Sequence, residues 1–256
     1  QEYECEFLSS DALLIDSLFL ANLTPIIEAI RPVKEIEHVV FWKKIIPGAT
    51  YLVGVDPSTG SGEDYSVITI FEFPSMLQVA EYRSNTMSTN SLYGILKNVL
   101  IYLEKQQTTT YFSVENNGVG EGVISLFEAD ENPPEIAEFV SEPGKKKRGM
   151  TTTAKSKMRA CVNLKEMLEK GNLVIQSHTM LAELKSYARK KGAYEAQTGA
   201  TDDCIAACLI VVRLIEEIAQ FDQIAFDKLY TSEFDQWGED AGQDYDENDE
   251  GIPMVF

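Results

Sequence analysis

The chain has 256 residues, 44% of them hydrophobic, so it can bury a sizeable core unaided, as one large domain or two small ones. Its four cysteines form no CxxC pair, and no apolar run reaches the roughly 18 residues of a membrane span, which argues against a disulfide scaffold or a membrane protein and for an intracellular setting. A formal net charge of −19 argues on its face against a polyanionic partner, yet residues 143–191 hold thirteen Lys or Arg against three Glu, and residues 216–250 hold thirteen acids against Lys228 alone. Counterion release depends on local charge, so the basic stretch keeps nucleic acid open as a partner.

Residues 1–47 carry short apolar clusters, a break at Pro32 and no strand pattern, and are expected to form a linker segment. From Ala49 the pattern turns regular: strands are predicted at 51–55, 66–73 and 77–82, separated by turns containing Gly60, Gly62 and Pro74, which makes a three-strand antiparallel meander. Ser88 caps a helix to about Glu104, TTYFSVE is a strand, and 118–129 is a helix. Beyond Pro133-Pro134, IAEFVSE reads as another strand, Thr151 to Thr153 offer caps for a helix ended by Gly171, and LVIQS reads as one more strand. A helix from Thr179 would carry Leu181, Leu184 and Tyr187. KKGAYEAQTGA is a loop or small hairpin, and Thr201 caps a last apolar helix to about Gln220. The order implies an α/β fold, a mixed sheet with helices on both faces over 48–220. Residues 221–256 have the composition of an acidic tail.

Three acidic spots fall where the pattern otherwise reads as buried: Asp56 ending YLVGVD, Glu115 ending YFSVE, and Asp202-Asp203 before CIAACLIVV. Carboxylates are costly to bury and would repel one another if brought together, so their convergence implies a divalent cation. Each also has a plainer explanation. Asp56 can open a proline turn, Asn117-Gly118 can be an ordinary turn after Glu115, and Asp202 and Asp203 can offset the dipole at a helix start. Two adjacent acids exceed what capping needs, and successive helical residues point about 100° apart, so one can face a metal while the other supports it.

The run Lys145, Lys146, Lys147, Arg148 alone would be a solvated loop. Followed by Lys155, Lys157 and Arg159 on one helix start and by Lys185, Arg189, Lys190 and Lys191 on the next, it supplies separated phosphate contacts without a base-reading element, so DNA binding is expected to be largely independent of sequence. GKKKRGMT mimics a P-loop but has Met150 where the phosphate-gripping lysine belongs, so no nucleotide site is expected. His38 and His178 are isolated and read as structural.

VGVDPSTGSGEDYS, the segment Arg83-Ser84-Asn85-Thr86, VENNGVG, the TTAKSKMRA helix start and TDDCIAA together resemble, in order and spacing, the nuclease domain of the large terminase subunit of tailed double-stranded-DNA bacteriophages. The resemblance spans nearly the whole chain. It implies an RNase H-like fold and a metal-dependent endonuclease that cuts concatemeric viral DNA during genome packaging. It assigns metal-holding and catalytic roles to Asp56, Glu115 and Asp203, with Asp202 a supporting residue of the same metal site and Asp64 in support. It also implies a two-metal site for Mg²⁺ or Mn²⁺, double-stranded DNA as substrate, and the host cytoplasm as location. Residues 1–47 would be the end of an upstream ATPase domain, and the portal and small terminase subunit would be partners. Another RNase H-like nuclease of resolvase or transposase type, an actin-like kinase, and a non-catalytic docking module stand as alternatives.

Overall fold

A computed structural model of the chain describes residues 13–190 and 192–221, side chains of 219–221 excepted. A seven-stranded mixed sheet runs in the order β1-β2-β5-β4-β3-β6-β7. Its strands are β1 (Lys34–Ile36), β2 (Val39–Phe41), β3 (Thr50–Asp56), β4 (Ser66–Phe73), β5 (Leu77–Ser84), β6 (Thr109–Val114) and β7 (Glu138–Phe139). The meander β3-β4-β5 is antiparallel as expected, whereas β6 lies parallel to β3 and β7 parallel to β6. Helices α2 (Thr89–Lys105) and α3 (Val119–Ala129) cover one face; α1 (Ser17–Glu28), α4 (Ala154–Glu169), α5 (His178–Leu184) and α6 (Asp203–Phe221) are associated with the other.

Strand parity decides what each face receives. Along β3, Tyr51, Val53 and Val55 point into the core under α2 and α3, while Leu52 points to the α6 side, so Gly54 and Asp56 share that second face. Gly54 marks where α6 crosses the strand: a Cβ there would lie 2.3 Å from the Ala207 carbonyl oxygen and 2.7 Å from Val211 Cγ2. The crossing seats a helix whose buried residues run from Cys204 to Ile218 directly on the sheet, and it carries the TDD segment to the end of β3. Thr153 and Ser156 form a capping box that starts α4, as the threonine run predicts.

Four local expectations differ. Residues 13–47 are more regular than predicted: Asp16 caps α1, and β2 pairs antiparallel with β5, extending the meander. Their strands have only three residues each, too short to show a period. LVIQS is not a strand. Val174 makes a single bridge beside Leu77, and the N–H groups of Gln176 and Ser177 donate instead to the Gln78 side-chain oxygen at 2.8 and 3.0 Å. Tyr187 lies outside α5, on β8 (Tyr187–Lys190), which forms a small hairpin with β9 (Ala193–Ala196). Thr201 does not cap α6: Asp202 is the residue before the helix, its carbonyl accepting from Ala206 N, and the Thr201 hydroxyl is used elsewhere. Residues 222–256, where the acidic tail is expected, lie outside the described residues, as do Lys191 and Cys5.

Candidate metal and nucleic-acid site

β3 and β6 end side by side. Val55 pairs with Val114, and Glu115 N donates to the Val55 carbonyl at 2.9 Å, so Asp56 and Glu115 leave adjacent parallel strands at the same end. Their carboxyl groups stand within hydrogen-bonding reach of each other. Asn117 steadies Glu115 by donating to its Oε1 at 3.1 Å while also reaching the Thr152 carbonyl at 3.2 Å, which ties the acid to the loop before α4.

The turn after Asp56 is held by short side chains. Ser58 N donates to Ser66 Oγ at 2.9 Å, and Ser58 Oγ donates to the Asp64 carbonyl at 2.9 Å. The Ser84-Asn85-Thr86 segment clamps the far side, Asn85 exchanging a backbone pair partner and a side-chain bond with Gly62 at 2.8 and 2.9 Å. Gly60 adopts φ +71°, and any Cβ would lie 2.2 Å from the Met87 carbonyl, so only glycine closes this turn. The turn places Tyr65 N to donate to Asp203 and sets the exposed Asp64 close enough to act on Asp203 electrostatically.

Asp203 is 8% exposed, and its Oδ2 has no hydrogen-bond partner. Burial above all, with repulsion from Asp202 and Asp64, pushes its carboxyl up to about 6 despite the Tyr65 N–H and Arg83. Asp56 is raised well above the ordinary aspartate value by burial first, then by its contact with Glu115, then by Asp203 and Asp202. Lys157 Nζ meets Asp202 Oδ2 at 3.1 Å, so the first acid of the pair is partly neutralised while the second is not. Among the described residues, no three His, Cys, Asp or Glu groups close around one point as a finished metal cage. Two carboxyls in mutual contact, beside a buried unpartnered carboxylate oxygen, nevertheless fit a hard divalent cation: the arrangement needs a proton or a cation, and Mg²⁺ keeps several waters and requires few direct protein ligands.

A network invisible to sequence periodicity supports this cluster. Glu183, from α5 and 4% exposed, accepts from Ile205 N at 3.1 Å and from the Thr201 hydroxyl at 2.9 Å, fixing the start of α6. Arg83 donates to Thr201 Oγ1 at 3.1 Å, lies 3.8 Å from Glu183 and stacks over the Tyr65 ring. Further along β5, a register shift at Ile70/Phe71 turns Gln78 and Glu81 to the same face, where Gln78 Nε2 donates to Glu81 Oε2 at 3.2 Å and Ser177 Oγ donates to Oε1 at 2.8 Å. One signal was available for Glu183: it is three residues after Met180 and next to Leu184, on the apolar side of α5, where an acid needs a buried partner.

The predicted DNA contacts divide. Lys147 pairs with Glu121, Arg148 with Glu128 at 3.6 Å while lying over Phe139, Arg159 with Glu216, and Lys190 with Glu195 at 3.7 Å. Lys145, Lys146, Lys155 and Arg189 form no ion pair among the described residues.

A family model described as the terminase RNase H-like domain matches residues 53–212, which include all five predicted acids. The chain belongs to that family. Solved structures agree on the fold. The large terminase nuclease of thermophilic phage G20c, with bound magnesium, superposes with a TM-score of 0.59 at 17% identity, covering 79% of this chain and 97% of that one. The same nuclease with bound cobalt gives 0.55 at 18% identity, over 72% and 91%. The Thermus phage P74-26 large terminase nuclease domain gives 0.54 at 18% identity, over 75% and 93%. At these identities the likeness establishes an RNase H-like architecture with helices on both faces of a mixed sheet. No helix among the described residues is long and apolar enough to cross a membrane.

Proposed function

We propose that this terminase-family chain is a divalent-metal-dependent endonuclease that hydrolyses phosphodiester bonds of double-stranded DNA during genome packaging, with little sequence preference. The observation that carries the proposal is the contact of the Asp56 and Glu115 carboxyls beside the buried, unpartnered Oδ2 of Asp203. The bound magnesium and cobalt of the G20c nucleases support the use of divalent metal. Mg²⁺ or Mn²⁺ ions, two in this reading, supply an activated water and charge stabilisation for the leaving 3′ oxygen.

The side chains divide the remaining work. Asp56, Glu115 and Asp203 would hold the metal ions, Asp56 being the acid that contacts Glu115 and feels the charge of Asp203. Before DNA is bound, Lys157 offsets the charge of Asp202, and Asp64 adds negative charge at the outer edge. Lys145, Lys146, Lys155 and Arg189 carry the duplex by its phosphates, and the paired Lys147, Arg148, Lys157, Arg159 and Lys190 exchange acid partners for phosphate. Lys191 belongs to the same set by sequence. An upstream ATPase domain, the portal and the small terminase subunit are the expected partners, the segment 1–47 and the acidic 221–256 their points of attachment, and the host cytoplasm the setting.

Supercoiled plasmid incubated with Mg²⁺, Mn²⁺ or EDTA tests the proposal. Cutting is expected with either metal and not with EDTA, and Asp203→Asn abolishes it while DNA retention in a gel-shift assay stays within about threefold, because phosphate contacts rather than this acid supply binding. Metal-dependent cutting by Asp203→Asn at the unsubstituted rate would falsify the assignment.

A further inference from the structure

The only two histidines of the chain, far apart in sequence, line one cleft. It measures about 670 Å³ and lies between the end of α1, the β1-β2 hairpin, β5 and the start of α5, with Arg31, His38, Trp42, Glu81, Arg83 and His178 among its walls. That volume is ordinary for a site that takes a nucleotide-sized group. Arg31, Arg83, His38 and His178 around the Trp42 indole gather hydrogen-bond donors and aromatic groups in one place, with Glu28 and Glu81 as the acids of the same wall.

Geometry connects this cleft to the acid cluster. Arg83 forms part of its wall and also stacks over Tyr65, whose N–H donates to Asp203; Val67, its cross-strand partner, is in turn the partner of Asp56. Arg31 is exposed at the rim, and its Nη1 is spent on the carbonyls of Glu28 and Ile30 at 2.6 and 2.8 Å. Those bonds fix the guanidinium plane, and it makes no ion pair among the described residues, so its other N–H groups are free for a bidentate anion. The acids in the wall compete little. Both Glu81 oxygens are taken by Ser177 and Gln78, and Glu28 sits at the solvent edge of α1.

We propose that this cleft is a second nucleic-acid contact, which receives the sugar-phosphate backbone of the substrate strand beside the acid cluster, a phosphate lying against Arg31 and the Arg83 side of the floor. It is separate from the lysine-rich set on the β7–α4 loop and α4, and its role as a substrate contact rests on the nuclease reading. A guanidinium fork selects phosphate oxygens and not bases, so the contact is indifferent to sequence.

Trp42 gives a direct readout. With Trp237→Phe, Trp42 becomes the only indole of the full chain. A short DNA duplex, titrated in EDTA with binding followed independently by the anisotropy of a labelled copy, is expected to change Trp42 emission in a saturable way. Arg31→Ala weakens that binding about tenfold, Arg31→Lys less, and His178→Ala adds to the loss. Millimolar inorganic phosphate leaves the emission unchanged. Saturation without a change in Trp42 emission, or equal affinity in Arg31→Ala, overturns the proposal, and an equal response to inorganic phosphate replaces the strand with a small anion and overturns it too. Because these titrations need no metal, the two readings separate. An Asp203→Asn protein that still shows the Trp42 response supports the cleft even if no cutting is ever seen, whereas robust cutting with unaltered binding by Arg31→Ala removes the cleft and leaves the nuclease.

Discussion

The two faces of the sheet treat acids in opposite ways. Under α2 and α3 the core is built from Tyr51, Val53, Ile70, Leu96, Leu100 and their neighbours, and the acid at its margin, Asp130, is held down to about 2, by Lys97 first and then by Tyr93. On the α5–α6 side Asp203 is pushed up to about 6 and Glu81 to about 7, burial being the leading cause for both. Lys97 and Tyr93 give Asp130 partners for its charge, whereas Asp203 retains an oxygen with none. The first face is a stability device. The second holds Asp56 and Asp203 at a cost that a bound cation or proton relieves, and that asymmetry locates function without any motif.

The sharpest way to break the comparison is to truncate one residue on each side. Leu96, 1% exposed in the middle of α2, should lose about 2–5 kcal/mol on replacement by Ala, read as a lower urea midpoint, while the folded fraction keeps its specific cutting activity. Asp56→Asn should do the reverse: the melting temperature in EDTA rises, because a charge opposed by burial and by Glu115 is gone, and cutting falls by at least about a hundredfold, the scale set by losing one member of a preorganised charged site. If Asp56→Asn instead melts lower in EDTA, the carboxylate is a structural cap and the comparison fails.

The acid-dependent stability of the two faces should also have opposite sign. Glu81 is raised from 4.5 to about 7, so between those values the folded protein keeps a proton that the unfolded chain has released; its contribution is full below pH 4.5 and is lost as pH rises towards 7. The ceiling for this fully buried group is on the order of 3–4 kcal/mol. Asp130, lowered from 3.8 to about 2, contributes above pH 3.8 and loses that contribution as pH falls towards 2. Chemical denaturation across pH 2–8 should therefore show Glu81→Gln flattening the upper limb and Asp130→Asn the lower one. An upper limb of unchanged slope in Glu81→Gln would mean that this carboxyl ionises as it does in water.

Much of the site was legible because strand parity and helix starts are local. An acid closing each of two apolar strands, with a third opening an apolar helix, needs only the pairing of β3 with β6 and the crossing of α6 at Gly54 to converge. What escaped was held by contacts between distant segments. Lys34-Glu35-Ile36 carries no period, yet β1 and β2 extend the sheet because β5 offers an edge. LVIQS has strand composition, but only Val174 bridges through its backbone, and the Gln78 side chain takes the N–H groups of Gln176 and Ser177. Glu183, Arg83 and Glu81 are ordinary surface-type residues until tertiary packing buries the two acids and half-buries the arginine near the start of α6.

The smallest predicted effect concerns Glu183, which joins the buried charges to the acid cluster without belonging to it. Glu183→Gln keeps one acceptor for Ile205 N and should cost about 1 kcal/mol, while Glu183→Ala leaves Ile205 N, Thr201 and Arg83 short of a partner and should cost about 1–3 kcal/mol. Loss of stability alone would not distinguish a positioning role from a structural one. The Mg²⁺ titration does: because Glu183 orients Asp202 and Asp203 through the first turn of α6, the alanine variant should need several-fold more Mg²⁺ for half-maximal cutting while approaching the unsubstituted rate at saturation, and the glutamine variant should fall between. A Mg²⁺ curve unmoved in Glu183→Ala would mean that α6 is held by its packing on Gly54 alone, and that the polar network on this face serves stability just as the apolar one does on the other.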